Sequence, residues 1–377
     1  MSASHLDDAK LSSSPVLAFW VPPWLRDDGI FDPKHPQNRD DQYHPMRVLR
    51  YKLAQLGWRI HTQDVVKRSR EVPRAVLFFD IPRLPISVLL GSWARKVTPY
   101  AILFECETVK ARNWNPSRHK QFQAIFTWHS RLVDNSRYIR TFYSQHFDPS
   151  VSLNRDLSNK HRLCVMIAGN KRSRGRQSLD LYSKRLEAIC WYETHHPFDF
   201  DLYGTGWDDA RVPYSFRLRR LGLMGLVNAL VGTERRPSYR GTLDQKRPTL
   251  ERYRFNICFE NARDIPGYIT EKLFDSFLGS CVPVYWGAPD ITDFVPKDCF
   301  IDFRDYMDLS KLHRCLSMMS DAEYLSYLDR IEQFLRSPAI KQFTSDYWAE
   351  AIANTVAGRR ESVDASCRRI SEHECYP

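Results

Sequence analysis

The sequence predicts an α/β protein built from two doubly wound, Rossmann-like domains. Short apolar runs alternate with stretches of helical periodicity along most of the chain. That alternation breaks near residues 148–160, where Pro, Ser, Asn and charged residues accumulate, and one complete strand–loop–helix–strand unit lies between Phe255 and Gly287. A length of 377 residues is also long for one hydrophobic core.

In the first half, Val16 to Trp20 reads as a strand and is followed by a polar, proline- and aspartate-rich loop through His44. Met46 to Leu56 reads as a helix with Leu49, Leu53 and Leu56 on one face and Gly57 as C-cap. Further strands are expected at Trp58 to His61, Ala75 to Phe79, Ala101 to Phe104 and Ala124 to Trp128. A second alternation starts at Leu163. It runs through a helix from Leu179 to Glu193, a strand from Phe198 to Leu202 and the unit beginning at Phe255, and ends with helices near Tyr324 to Leu335 and Phe343 to Val356. The expected domains are residues 1–155, 156–340 and a terminal helix and tail at 341–377.

The Phe255–Gly287 unit carries the chemistry. Its first strand exits in Glu260 and Asn261, Pro266 and Gly267 turn the chain, and Thr270 offers an N-cap hydroxyl to a helix marked by Ile269, Leu273, Phe274, Phe277 and Leu278. The second strand, Val282 to Tyr285, ends at Trp286 and Gly287. In a βαβ unit the crossover helix starts at the ligand edge of the sheet, where unpaired N–H groups and the helix dipole favour an anion. Glu271 and Lys272 sit in that first turn. Lysine suits a phosphate and glutamate the hydroxyls of a sugar or ribose, so the pair suggests a nucleotide-sugar. An isolated pair of this kind would be read as a dipole partner and a solvated lysine.

The pattern of Phe259, Glu260, Asn261, a short loop, Tyr268, Thr270, Glu271 and Lys272, then Val282, Pro283, Val284 and Gly287, resembles the donor-site signature of glycosyltransferase family 10, the α-1,3/1,4-fucosyltransferases. The similarity extends, more weakly, from about residue 95 to about 305, and is closer to the soluble bacterial branch than to the Golgi enzymes. It implies a GT-B architecture, with parallel sheets facing across a cleft and a final helix crossing back to the first domain. The implied reaction is inverting transfer of L-fucose from GDP-fucose to a hydroxyl of a glycan, GlcNAc or glucose in a surface polysaccharide or lipopolysaccharide, through an α-1,3 linkage. Carried over by position, Asn170, Arg185, Glu260, Asn261, Tyr268, Thr270, Glu271 and Lys272 bind the donor. A glutamate at a strand end of the first domain is the base. Glu107 fits that place through its spacing to Asn113, with Glu105 as rival; both would project to one side if their strand continued. Such a reaction needs no obligatory metal or cofactor beyond the GDP-fucose co-substrate.

The net charge of +10 and pI of about 9.1 point to anionic partners. Arg217 to Arg236, apolar residues flanked by arginines, could lie as an amphipathic helix on an anionic membrane surface or be an ordinary helix with basic ends. The first fifteen residues lack an apolar h-region, no stretch approaches a membrane span, and the nine cysteines form no CxxC pair, so a reduced, cytoplasmic setting is expected, with peripheral attachment at the inner membrane face. Asp199 and Asp201 form a DxD at a strand's start, away from the expected ligand edge. Glu193, His195 and His196 lack metal-ligand spacing, and Gly204-Thr205-Gly206 is too short for a dinucleotide fingerprint. The alternatives are another GDP-deoxysugar as donor, or a non-catalytic basic membrane- or nucleic-acid-binding protein on the same fold; nucleic acid is not the expected partner.

Overall fold

Runs that are apolar at successive positions suit strands buried on both faces, and the computed structural model pairs these in parallel. It describes residues 14–148, 150–172, 177–208 and 236–359. One unit runs to Phe147 and resumes at Ile340; the other spans Asp148–Ala339.

The first unit contains β1 (Val16–Trp20), β2 (Arg59–Thr62), β3 (Ala75–Phe79), β4 (Thr98–Leu103), β5 (Ala124–Thr127) and β6 (Tyr138–Arg140). Their order is β2-β1-β3-β4-β5-β6, all parallel, with Leu17 beside Ala75 and Leu77 beside Tyr100. Alternation along the strands builds two apolar layers. Leu17, Phe19, Leu77, Ile102 and Phe126 face one side, and Ala18, Val76, Phe78, Ala101 and Ile125 the other. The first layer is covered by the helix His44–Gln55 together with the terminal helix Ser345–Val356, whose Trp348, Ala349, Ile352 and Ala353 join the same core. Trp348 is almost fully enclosed and packs near Phe104, with ring centroids 6.4 Å apart. Trp348→Ala is expected to cost about 3–5 kcal/mol, read from the urea unfolding midpoint.

The second unit contains β7 (Arg162–Ile167), β8 (Phe200–Tyr203), β9 (Tyr239–Gly241), β10 (Tyr253–Phe259), β11 (Val282–Trp286) and β12 (Ile301–Asp302). Their order is β12-β11-β10-β7-β8-β9, again all parallel. The chain thus lays down β7, β8 and β9 to one side, then returns beside β7 with β10 and continues the other way. That reversal is the topological switch point at which open α/β sheets bind ligands, outside the carboxyl ends of β7 and β10. The two doubly wound sheets are those of the GT-B class.

The sequence reading missed β6, β9, β12 and the helix Leu309–Met318. It also extended one strand too far. β4 ends at Leu103, and Glu107 opens the short helix Glu107–Lys110, so Glu105 and Glu107 do not alternate along one strand. No helix of the described residues is long and apolar enough to cross a membrane. Apart from Arg236, which pairs with Glu193 at 2.7 Å, the segment 217–236 lies outside the described residues.

Candidate functional site

β10 leaves the core with Glu260, whose side chain has no solvent exposure. A buried carboxylate must be paired or hydrogen-bonded. Glu260 Oε1 accepts the backbone N–H of Thr270 (2.8 Å), Oε2 accepts the Thr270 hydroxyl (2.8 Å), and Lys272 Nζ stands 3.5 Å from Oε2. Thr270 does occupy the N-cap position of the helix Glu271–Leu278, but its hydroxyl serves the carboxylate and not the helix N–H groups as expected. The hydroxyl hydrogen goes to the carboxylate, and the hydroxyl oxygen accepts the charged Lys272 Nζ in place of a helix N–H. Burial pushes the Glu260 carboxyl up from its ordinary value, although Lys272 opposes the shift. Gly287, at the end of β11, is required here: a β-carbon on it would lie 2.5 Å from Glu260 Cγ and 2.5 Å from the Tyr285 hydroxyl.

Lys272 is mostly enclosed. Its Nζ donates to Thr270 Oγ1 (3.0 Å) and to Glu271 Oε1 (3.3 Å). Desolvation works against its charge, but Glu271 and Glu260 raise its pKa. Desolvation likewise opposes the charge of the neighbouring Glu271, yet Lys272, Lys246 and its own backbone N–H bring its pKa down to about 2. A carboxyl depressed in the fold contributes stability that is complete above its ordinary value of 4.5 and is lost as the pH falls towards 2. Wild type should therefore lose more urea resistance than Glu271→Gln over that interval. Equal losses would mean that Glu271 is unperturbed.

A second network holds the strand exit from the side. Arg185, on the helix Tyr182–His195, is 5% exposed and so does not reach past its apolar face to solvent. It donates from Nε (3.0 Å) and Nη2 (2.6 Å) to the Phe259 carbonyl and from Nη2 to Asn261 Oδ1 (3.0 Å). Asn261 Nδ2 in turn donates to the Tyr268 hydroxyl (3.1 Å), and the Tyr285 hydroxyl donates to the Tyr268 carbonyl (3.3 Å). Asn170, just beyond β7, bonds instead to the loop after β8: its backbone N–H meets Thr205 O (2.9 Å) and its Nδ2 meets Gly206 O (2.8 Å). The Gly204-Thr205-Gly206 turn thus supports the Asn170 loop. Gly204 has φ +136°, and a β-carbon there would sit 2.0 Å from Ala168 O. Glu260, Thr270, Glu271 and Lys272 form one bonded group and Arg185, Asn261 and Tyr268 a second, both on the carboxyl edge of β10, while Asn170 belongs to the adjoining loop after β7.

In the first unit, Glu105 and Glu107 are both half-buried beyond the end of β4. They are placed by a residue that the sequence did not reveal. Asp80, buried at the end of β3 with φ 65°, accepts the backbone N–H groups of Phe104 (2.7 Å) and Glu105 (3.3 Å), Asn113 Nδ2 (2.7 Å) and Lys110 Nζ (2.8 Å). Asn113 Nδ2 and Trp114 Nε1 both reach the Glu105 carbonyl at 3.1 Å. A single carboxylate therefore fixes the backbone that presents the two glutamates.

The DxD divides between two environments. Asp201 is buried against Arg240 Nε (2.5 Å) and the Tyr253 hydroxyl (2.8 Å), which occupy its oxygens. Asp199 turns instead towards His196 and His313.

A family model described as glycosyltransferase family 10 (fucosyltransferase) C-terminal matches residues 227–362. The α-(1,3)-fucosyltransferase FucT of Helicobacter pylori is 39% identical over 67 residues, which are 18% of this chain and 14% of that protein. Human 4-galactosyl-N-acetylglucosaminide 3-α-L-fucosyltransferase 9 is 35% identical over 91 residues, 23% of this chain and 25% of its own length. The aligned part thus spans a quarter or less of these relatives. A crystal structure of an α1,3-fucosyltransferase matches with TM-score 0.51 at 15% identity, covering 94% of this chain and 92% of that one. Anabaena HepE, solved with UDP-glucose, gives 0.53 at 9% identity, covering 91% and 99%. These last two are likenesses of fold. Over residues 227–362 the chain is similar to the C-terminal domain of glycosyltransferase family 10, the fucosyltransferases.

Proposed function

We propose that the protein is an inverting fucosyltransferase that moves L-fucose from GDP-fucose to a hydroxyl of a glycan, GlcNAc or glucose in a surface polysaccharide or lipopolysaccharide, forming an α-1,3 linkage. The observation that carries this reading is Lys272, placed with Glu271 in the first turn of a helix at the switch point of the second sheet, inside the segment matched by the family model.

Lys272 neutralises diphosphate oxygen as the bond from fucose C1 to the leaving oxygen breaks, and the dipole of its helix adds to that charge. Glu271, kept ionised, accepts hydroxyl hydrogens of fucose or ribose. Arg185, held against Phe259 O and Asn261, lends its positive charge to the diphosphate, and Asn261, Tyr268, Glu260, Thr270 and Asn170 shape the pocket. Glu107, or Glu105 in its place, takes the proton from the acceptor hydroxyl as its oxygen forms the new bond to C1, and GDP departs. Residues 1–155 serve the acceptor and 156–340 the donor. The protein works in the cytoplasm, with 217–236 meeting the inner face of an anionic membrane.

Thermal shift with GDP-fucose, GDP-mannose, GDP and UDP-sugars, in EDTA, tests the donor. Selective stabilisation by GDP-fucose and GDP is expected. Stabilisation by another GDP-deoxysugar alone would change the donor, and stabilisation by none of them would overturn the reading.

A further inference from the structure

His196 caps the carboxyl end of the helix Tyr182–His195, Asp199 immediately precedes β8, and His313 lies on the helix Leu309–Met318 with the buried Leu312 and Leu316. The His196 and His313 rings stack face to face, with centroids 3.6 Å apart and planes 23° from parallel. Asp199 Oδ2 serves both, 3.5 Å from His313 Nε2 and 3.8 Å from His196 Nδ1. We propose that this stack is a proton-operated latch: it holds the helix Leu309–Met318 in place while His313 is neutral, and mild acid releases that helix.

The latch follows from how many protons the pair can hold. His313 is only 8% exposed, and its Nδ1 is buried without a hydrogen-bond partner among the described residues. A neutral imidazole carries one N–H, and the Asp199 carboxylate beside Nε2 keeps it there, so Nδ1 is left with a lone pair. Protonating His313 would make Nδ1 a second donor, buried with nothing to receive it, and the docked helix would bear the cost. His196 differs, because it is partly exposed and can take a proton beside Asp199 while stacked on a neutral ring. One carboxylate offsets one imidazolium. Two imidazoliums at this separation would repel, so the second proton is the one that the closed stack refuses.

The other groups near His313 do not relieve it. Trp191 and Tyr192, of the helix Tyr182–His195, set their rings 5.9 and 5.7 Å from His313 and restrict its rotation. The Tyr192 hydroxyl, whose pKa burial pushes well up, is turned to Cys164 Sγ at 3.6 Å. Lys311 and Arg314, on its own helix, are exposed and have the wrong sign to help. Burial lowers the His313 pKa, His196 lowers it further, and Asp199 opposes both without cancelling them. A histidine whose pKa is depressed in the fold binds more protons once released. Docking is therefore complete above the ordinary value of 6.5 and weakens as the pH falls below it, by about tenfold per pH unit until the folded pKa is reached. The donor residues stand apart. Phe200 is level with Cys164 and Cys164 with Phe255, so Asp199 lies level with Arg254 at the amino edge of the sheet. Six residues of strand, about 20 Å, separate that level from Glu260. The inference is therefore independent of the fucosyl-transfer reading.

The test is an NMR titration of the full chain carrying labelled histidine, together with hydrogen exchange at about pH 7.5 and about pH 5. The His313 Cε1–H resonance, assigned by its loss in His313→Phe, should titrate below 6.5. Amides of 309–318, corrected for the intrinsic pH dependence of exchange, should lose protection about tenfold between the two conditions, while those of β10 and β11 keep theirs. His313→Phe, which keeps a stacked ring but cannot be charged, should abolish that loss. Asp199→Asn, at a half-exposed position, carries the test if His313→Phe does not fold: without the opposing carboxylate the loss in acid should be larger than in wild type. His195→Gln, whose ring stacks on Trp191 outside the pair, should behave as wild type. A His313 pKa at or above 6.5, equal losses in wild type and His313→Phe, or an Asp199→Asn variant no more sensitive to acid than wild type would overturn the proposal.

Discussion

Glu107→Gln should lower fucosyl turnover by about 10²–10⁴-fold, the usual worth of a positioned general base, while leaving the affinity for GDP-fucose unchanged. The substitution keeps shape and removes only the ability to take a proton. The backbone beside Glu107 is held through Asp80, Lys110, Asn113 and Trp114. An unchanged melting temperature in the variant assigns the fall in turnover to chemistry and not to displacement of the loop. Glu105→Gln in the same assay decides the rivalry: if it abolishes transfer and Glu107→Gln does not, Glu105 is the base. Donor affinity measured by calorimetry separates either result from loss of the donor site.

Lys272→Met should have the largest combined effect. It strips the cation from a fully buried Glu260 and from Glu271, and breaking a buried pair in this way costs about 3–5 kcal/mol. It should also weaken GDP about 10–100-fold through the lost charge-assisted phosphate contact. The two effects can be separated. Adding Glu260→Gln removes the stranded charge, so the double variant should recover much of the stability but none of the affinity. If folded Lys272→Met binds GDP as wild type does, the lysine is only a counter-ion to Glu260 and leaves the donor site.

How much of this could be read from sequence depended on how far apart the partners lie in the chain. The β10–helix–β11 unit was legible because its apolar runs, turn and first helical turn are contiguous, and Glu260, Thr270, Glu271 and Lys272 fall within thirteen residues. Lys272 in particular could be placed from local rules alone. Arg185 was legible as a residue but not in its setting: its distance from Phe259 and Asn261 in sequence hides the contact that turns its guanidinium inward. Asp80 gave no signal, since one aspartate after an apolar run looks like any strand exit until Lys110 and Asn113 fold against it. The end of β4 was misjudged because Phe104 continues the apolar pattern, while Asp80 has already captured its N–H. His196 and Asp199 stood close in sequence without their third partner, His313, which arrives from a helix that the sequence reading did not include.

The return of the chain at Ile340 bears on the order of synthesis. Trp348, Ala349, Ile352 and Ala353 complete the apolar layer over β1, β3 and β4, yet the ribosome makes them after the whole of the second unit. The second unit can close on its own sequence as it emerges. The first must wait, with Leu17, Phe19 and Leu77 incompletely covered, until its last helix is released. The amino-terminal sheet is thus begun first and finished last, and the nascent chain should need a chaperone for that sheet alone.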